Sequence, residues 1–234
     1  VELTATPKDN NVLYSVSAAE LKAAEMIKLP VVLTEHPHSW QDCVRDALIQ
    51  REKLELLAQK EHEYIRPILL IQAQDKNGEA NVDVVKQHLL NDYENISEEW
   101  IAISTGQTKE LDDQNLFSPD CKIKIVITVE ALKEGWDCSF AYVLASLQNI
   151  QSAIDVEQLL GRVLRMPYAK LRQQNELNKA YAHVISDSTA KATDNLKDRM
   201  VENMGFNRWE AESAIVASPQ HSLSLTETDT TPTK

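Results

Sequence analysis

The stretch Lys124–Leu147, KIVITVEALKEGWDCSFAYVLASL, decides the fold. It holds two apolar runs of strand length, Ile125–Val129 and Tyr142–Leu147, joined by a charged connection that contains Gly135. Neither run alternates apolar with polar residues, as a strand with one wet face would. Near-continuous apolar runs suit strands buried on both faces of a parallel sheet. Working outward, Ile68–Ile71 (ILLI) and Ile101–Ile103 (IAI) repeat the pattern.

Strands are predicted at Val31–Thr34, Pro67–Ala73, Trp100–Ser104, Lys124–Val129, Ala141–Leu147 and Ala182–Ser186. Helical patterns fall between them at Ala18–Ile27, Trp40–Glu61, Val82–Asn91, Ala153–Leu164 and Ala190–Asn203. This alternation predicts an α/β fold, a parallel sheet covered by helices on both faces and running from about Ile65 to Asp187. Trp40–Glu61 carries an apolar stripe (Trp40, Val44, Ala47, Leu48, Leu54, Leu57, Ala58) among many charges. It reads as a long amphipathic helix lying before the sheet, an arm or a connector. Ser218–Lys234 is rich in Ser, Thr and Pro, and is expected to be a disordered tail or linker.

The 234 residues are 43% hydrophobic and 26% charged, the balance of an ordinary globular protein. No run of about 18 apolar residues is present to span a membrane. Cys43, Cys121 and Cys138 are odd in number and form no CxxC pair, which fits a reducing, cytoplasmic setting without a zinc site. The net charge of −12 excludes a surface coated in phosphate contacts, so any nucleic-acid binding must be local.

Between the last two predicted strands lies Gln158–Arg165, QLLGRVLR. On an α-helix Asp155, Gln158, Arg162 and Arg165 share one face, while Val156, Leu159, Leu160 and Val163 form an apolar stripe for the sheet. Gly161 sits beside the polar face and costs about 1 kcal/mol against Ala inside a helix, so it asks for a reason. A solvated face with a chance glycine is the plain alternative. Against it stands the expected position of the helix at the carboxyl end of parallel strands, where ligands meet such sheets. Guanidinium presents a planar fork of donors to phosphoryl oxygens.

QLLGRVLR resembles the QxxGRxxR form of motif VI in superfamily 2 helicases and translocases. Leu3–Pro7 (LTATP) resembles their motif III, which ends the first motor lobe, and Thr128–Asp137 (TVEALKEGWD) resembles motif V. The order and the strand opening the second lobe (Arg66–Gln74) also fit, and the pattern is similar to the restriction subunit of type III restriction enzymes and its DEAD/DEAH-box relatives. Motif-bearing sequence covers residues 1–7 and 66–167.

The resemblance implies a second RecA-like motor lobe of an ATP-dependent DNA translocase. Arg165 would be an arginine finger on the γ-phosphate with Arg162 beside it, and Gln158, Gly135, Asp137 and Gly161 would lie at the nucleotide. Thr4 and Thr6 would couple ATP state to strand binding. Thr105, Gly106, Gln107 and Thr128 would contact a strand phosphate, which hydroxyls and backbone N–H groups can do without net positive charge. One departure stands out: motif V usually opens eight positions before its Asp, where this chain has Val129, with Thr128 one place earlier.

The cofactors implied are ATP and Mg, held mainly by a first lobe. The partners implied are double-stranded DNA and a modification (methyltransferase) subunit. No GxxxxGK(S/T) and no DExH or DEAD sequence occurs among the 234 residues, so this stretch alone is expected not to hydrolyse ATP. The expected organisation is residues 1–64 as the end of a first lobe plus connector, 65–188 as the second lobe, 189–217 as a helical segment and 218–234 as tail. The alternative is a non-catalytic α/β module that docks a partner through the Trp40–Glu61 helix.

Other constellations carry less. Pro119-Asp120 with Glu130 and Lys133 imitates a nuclease motif, but Glu and Lys stand three apart and cannot alternate on one strand face. His36 and His38 flank Pro37 without a third ligand nearby, and His62, His88, His183 and His221 stand alone in sequence. Trp136 is expected to pack under the motif V loop, and Asp187 to cap the helix from Ala190.

Overall fold

The computed structural model describes residues 16–37, 39–105, 108, 110–111, 114–129, 137–149, 160–186, 189–203 and 206–218. Among these residues seven strands form one all-parallel sheet: β1 (Val31–His36), β2 (Ile68–Gln72), β3 (Ile101–Ile103), β4 (Ile125–Thr128), β5 (Ala141–Asn149), β6 (Ala180–Ile185) and β7 (Ile215–Ala217). Their order across the sheet is β3-β4-β2-β5-β6-β1-β7. The parallel α/β architecture expected from the apolar runs is the one the chain adopts. Every residue of β2 and β4 is buried, which is why ILLI and IVIT show no alternation.

Among the described residues, five helices accompany the sheet: α1 (Ala18–Ala23), α2 (Trp40–Ala58), α3 (Val82–Asp92), α4 (Thr189–Asn203) and α5 (Arg208–Ala214). Residues 160–163 are also helical. Parallel crossovers are right-handed, so their direction along the sheet sets the face each helix covers. From β1 to β2 and from β2 to β3 the chain moves one way, placing α2 and α3 on one face. Trp40 of α2 and His88 of α3 accordingly meet edge to face, with ring centroids 4.9 Å apart. From β5 to β6 and from β6 to β7 it moves the other way, so residues 160–163, α4 and α5 cover the opposite face.

Two expectations are corrected. The sheet does not begin near Ile65: β1 lies inside it, between β6 and β7, and β7 extends it to residue 217. The boundaries expected at residues 64 and 188 therefore fall between strands of one sheet. Nor is the long helix a connector or a free docking arm. Ser39 caps α2 by accepting the Asp42 N–H, and Cys43, Val44, Ala47, Leu48, Leu54 and Ala58 are buried. That stripe packs against β2, β5 and β6. A stripe wide enough to cover a sheet has no reason to face solvent, since each buried Leu or Val contributes about 1.5–3 kcal/mol.

Candidate functional site at the amino edge of the sheet

Asp137 precedes β5 by four residues, so it stands at the amino edge of the sheet. After β5 the chain must return across a face to begin β6. It arrives through the helical turn at residues 160–163, and Arg162 and Arg165 come at the end of that return. Arg165 forms an isolated antiparallel bridge with Ile27, just upstream of β1. On either side, the Lys28 N–H donates to the Leu164 carbonyl at 2.6 Å and the Met166 N–H to the Met26 carbonyl at 2.9 Å. This overturns one expectation: the arginines lie at the amino edge, because Arg165 pairs with Ile27 just before β1 starts.

Here Arg165 forms an ion pair with Asp137, their side chains 49% and 55% exposed. At that exposure the pair contributes about 0–1 kcal/mol, so it is an arrangement open to exchange, not a structural clamp. Arg162 is half-buried, and its pKa is lowered chiefly by burial, then by the positive charge of Arg165, with Asp137 opposing. Two guanidinium groups that repel each other beside the Asp137 carboxylate could receive an incoming polyanion. Charge-assisted bonds to phosphoryl oxygens would relieve the repulsion.

A residue that sequence reasoning missed organises the place. Lys28 is fully buried, and its Nζ donates to the carbonyls of Ser139 at 3.0 Å and Ala141 at 2.6 Å. The ammonium also lies 3.8 Å from the centre of the Tyr142 ring. Burial drives its pKa well below the ordinary lysine value. One side chain thus fixes the segment that carries Asp137, while the same residue's backbone fixes the segment that carries Arg165. The sequence IKLP gives no sign of this, because a lone lysine reads as surface. Cys138 beside it is buried, its thiol pushed up to about 11 mainly by loss of solvent.

Other expected site residues lie elsewhere. Thr128 ends β4 at the carboxyl edge, buried and in register with Gln72. Thr105 lies at that edge too, after β3, where its backbone N–H donates to the Thr108 carbonyl and its Oγ1 accepts the Thr108 N–H. Gly161 falls within the helical turn and is half-buried. Thr4, Thr6, Gly106, Gln107, Gly135 and Gln158 lie outside the described residues, as do His38, Glu130, Lys133, Trp136, Asp187 and His221. The structure thus brings Arg162, Arg165 and Asp137 together, and sets Thr105 and Thr128 at the opposite edge.

The carboxyl edge also corrects the reading of the histidines as isolated. His36 Nε2 and His183 Nδ1 are 3.2 Å apart, with the rings stacked at 5.5 Å. They come from β1 and β6, which are neighbours in space and 147 residues apart in sequence, so no local spacing could reveal them. Among the described residues no group of three or more His, Cys, Asp or Glu could hold a metal ion. No helix among them is long and apolar enough to cross a membrane.

Fold and geometry together define a parallel α/β domain with Arg162, Arg165 and Asp137 gathered at the amino edge of its sheet. No protein-family model matches the chain, and no curated protein shows significant similarity to it.

Proposed function

We propose that this chain is the second RecA-like motor lobe of an ATP-dependent DNA translocase, of the kind found in the restriction subunit of type III restriction enzymes. The observation that carries the reading is the meeting of Asp137, from EGWD, with Arg165 and Arg162, from QLLGRVLR. Two motif-like segments far apart on the strand path converge on one half-exposed patch with the chemistry of a phosphoryl site. The parallel sheet supports it. In this reading the ATP and Mg are held by a first lobe carrying the phosphate-binding loop. Closure inserts Arg165 and Arg162 against the terminal phosphate, where Arg165 exchanges Asp137 for phosphoryl oxygens. Double-stranded DNA is the track, and a modification subunit the partner.

The 234-residue chain alone is expected to show no DNA-stimulated ATPase. In the intact protein, Arg165→Ala should lower turnover by about a thousandfold or more, as loss of an arginine finger does, while sparing ATP binding. Steady-state ATPase and nucleotide titration check both. Robust hydrolysis by the chain alone, or normal turnover in Arg165→Ala, sinks the reading.

A further inference from the structure

Beside the arginine pair stands an aromatic surface that the phosphoryl site does not use. Phe140 is fully buried, and three rings surround it edge to face: Phe117 at 5.0 Å, Tyr64 at 6.0 Å and Tyr168 at 6.1 Å. These three are themselves exposed, Tyr168 by 53% and Phe117 by 44%. Both of the latter are held still. Tyr168 sits at φ 59° and Ala169 at φ 46°, in the left-handed region that side chains rarely adopt. Each such residue costs on the order of 1–3 kcal/mol.

The Tyr168 hydroxyl donates to the Tyr64 carbonyl at 2.7 Å, and the Arg172 guanidinium lies 5.6 Å from the ring centre. Arg172 is in turn buried and paired with Glu63 at 2.6 Å. Phe117 is gripped from both sides, since buried Arg66 donates to the carbonyls of Leu116 at 2.6 Å and Ser118 at 3.0 Å. Exposed aromatics on a packing surface need no such restraint. Rings fixed in advance lose little freedom when something stacks on them.

Position decides what that something is. Asp137 and Phe140 lie on one segment, three residues apart, and Arg165 and Tyr168 lie on another with the same spacing. The ion pair joins the segments at one end and the ring contact joins them at the other. Three residues of chain reach at most about 10 Å, a distance that an extended nucleoside triphosphate can bridge. We infer that Tyr168 and Phe117 form a stacking platform for the base of the same nucleotide whose terminal phosphate meets Arg162 and Arg165. The inference rests on the phosphoryl reading of those arginines and adds a base subsite to it. Aromatic faces accept any base, so the platform contributes affinity more than choice among bases.

Saturation-transfer NMR on the 234-residue chain with millimolar ATP tests it, alongside inorganic tripolyphosphate followed by phosphorus line broadening. Transfer to the purine ring protons is expected. Tyr168→Ala should weaken ATP by about tenfold, the lower range of one stacking contact, and leave tripolyphosphate unchanged. Phe117→Ser, which leaves the strained turn intact, should act in the same direction. Absence of purine transfer, equal loss of ATP and tripolyphosphate in both variants, or transfer to the bases of a short single strand but not to ATP overturns the platform. Arg165→Ala separates the two readings. Tripolyphosphate binding unaffected by that change removes the phosphoryl reading, while a purine signal lost in Tyr168→Ala upholds the base platform.

Discussion

His183 shows how a single residue can set the response of the whole fold to acid. Burial, and then the neighbouring His36, push its pKa down to about 3 from an ordinary 6.5. The folded state therefore holds the ring neutral while the unfolded chain protonates it. Between pH 6.5 and about 3 the unfolded state binds more protons, so stability falls as pH falls through that window. The slope from this one group is at most about 1.4 kcal/mol per pH unit. Urea unfolding midpoints measured from pH 7 to pH 4 should drop accordingly, and His183→Leu should flatten the profile. A profile equally steep in His183→Leu would exclude the pair as its source. At this scale the sequence was only partly legible. The closeness of Asp137 to Arg162 and Arg165 could be expected from the spacing of their segments. Lys28 and the His36–His183 pair could not, because each depends on strands that neighbour only after folding.

Helix α2 carries its lesson one level up. Leu54 is fully buried beneath it, whereas Leu56, two residues on, is 62% exposed. Leu54→Ala should cost about 2–5 kcal/mol by leaving a cavity against the sheet. Leu56→Ala should stay within about 0.5 kcal/mol. Chemical denaturation of the two variants measures the difference, and similar costs would contradict the placement of α2 on the sheet. The amphipathic stripe predicted the helix correctly but not its place, since periodicity tells which face is buried and not against what. β2, β4 and β5 were plain from their apolar runs. β7 was not, because three residues give no periodicity. Its order comes from pairing with β1, and the preceding α5 from a capping box between Asn207 and Glu210.

The molecule as a whole keeps two surfaces apart. Arg162, Arg165 and Asp137 lie at the amino edge and Thr105 and Thr128 at the carboxyl edge. Thr128 is level with Gln72 and Ser146, five residues beyond the start of β5, which sets the strand-wise separation of the edges at about 17 Å. At that distance direct electrostatic coupling through water is largely screened by salt. Thr128 is buried and closed to a strand phosphate, so the test falls on half-buried Thr105: in the intact protein, Thr105→Val should weaken DNA stimulation of ATPase while leaving basal ATP binding unchanged. Arg165→Ala should leave DNA affinity unchanged. DNA binding by mobility shift and nucleotide titration on both variants check this. Crossed effects on both ligands would place the two functions on one surface instead.

The bridge between Ile27 and Arg165 also governs when the site can exist. Its two sides lie 138 positions apart along the chain, and β1, which Ile27 introduces, is held between β6 and β7. During synthesis the first strand must wait for the last two before its place in the sheet is defined. Contacts of such long sequence separation are entropically late, so sheets of this kind fold slowly and their final closure comes last. The arginines are therefore unassembled in any partly made chain. A shortened product lacking β6 and β7 would lack the frame that holds the Ile27 segment against Arg165.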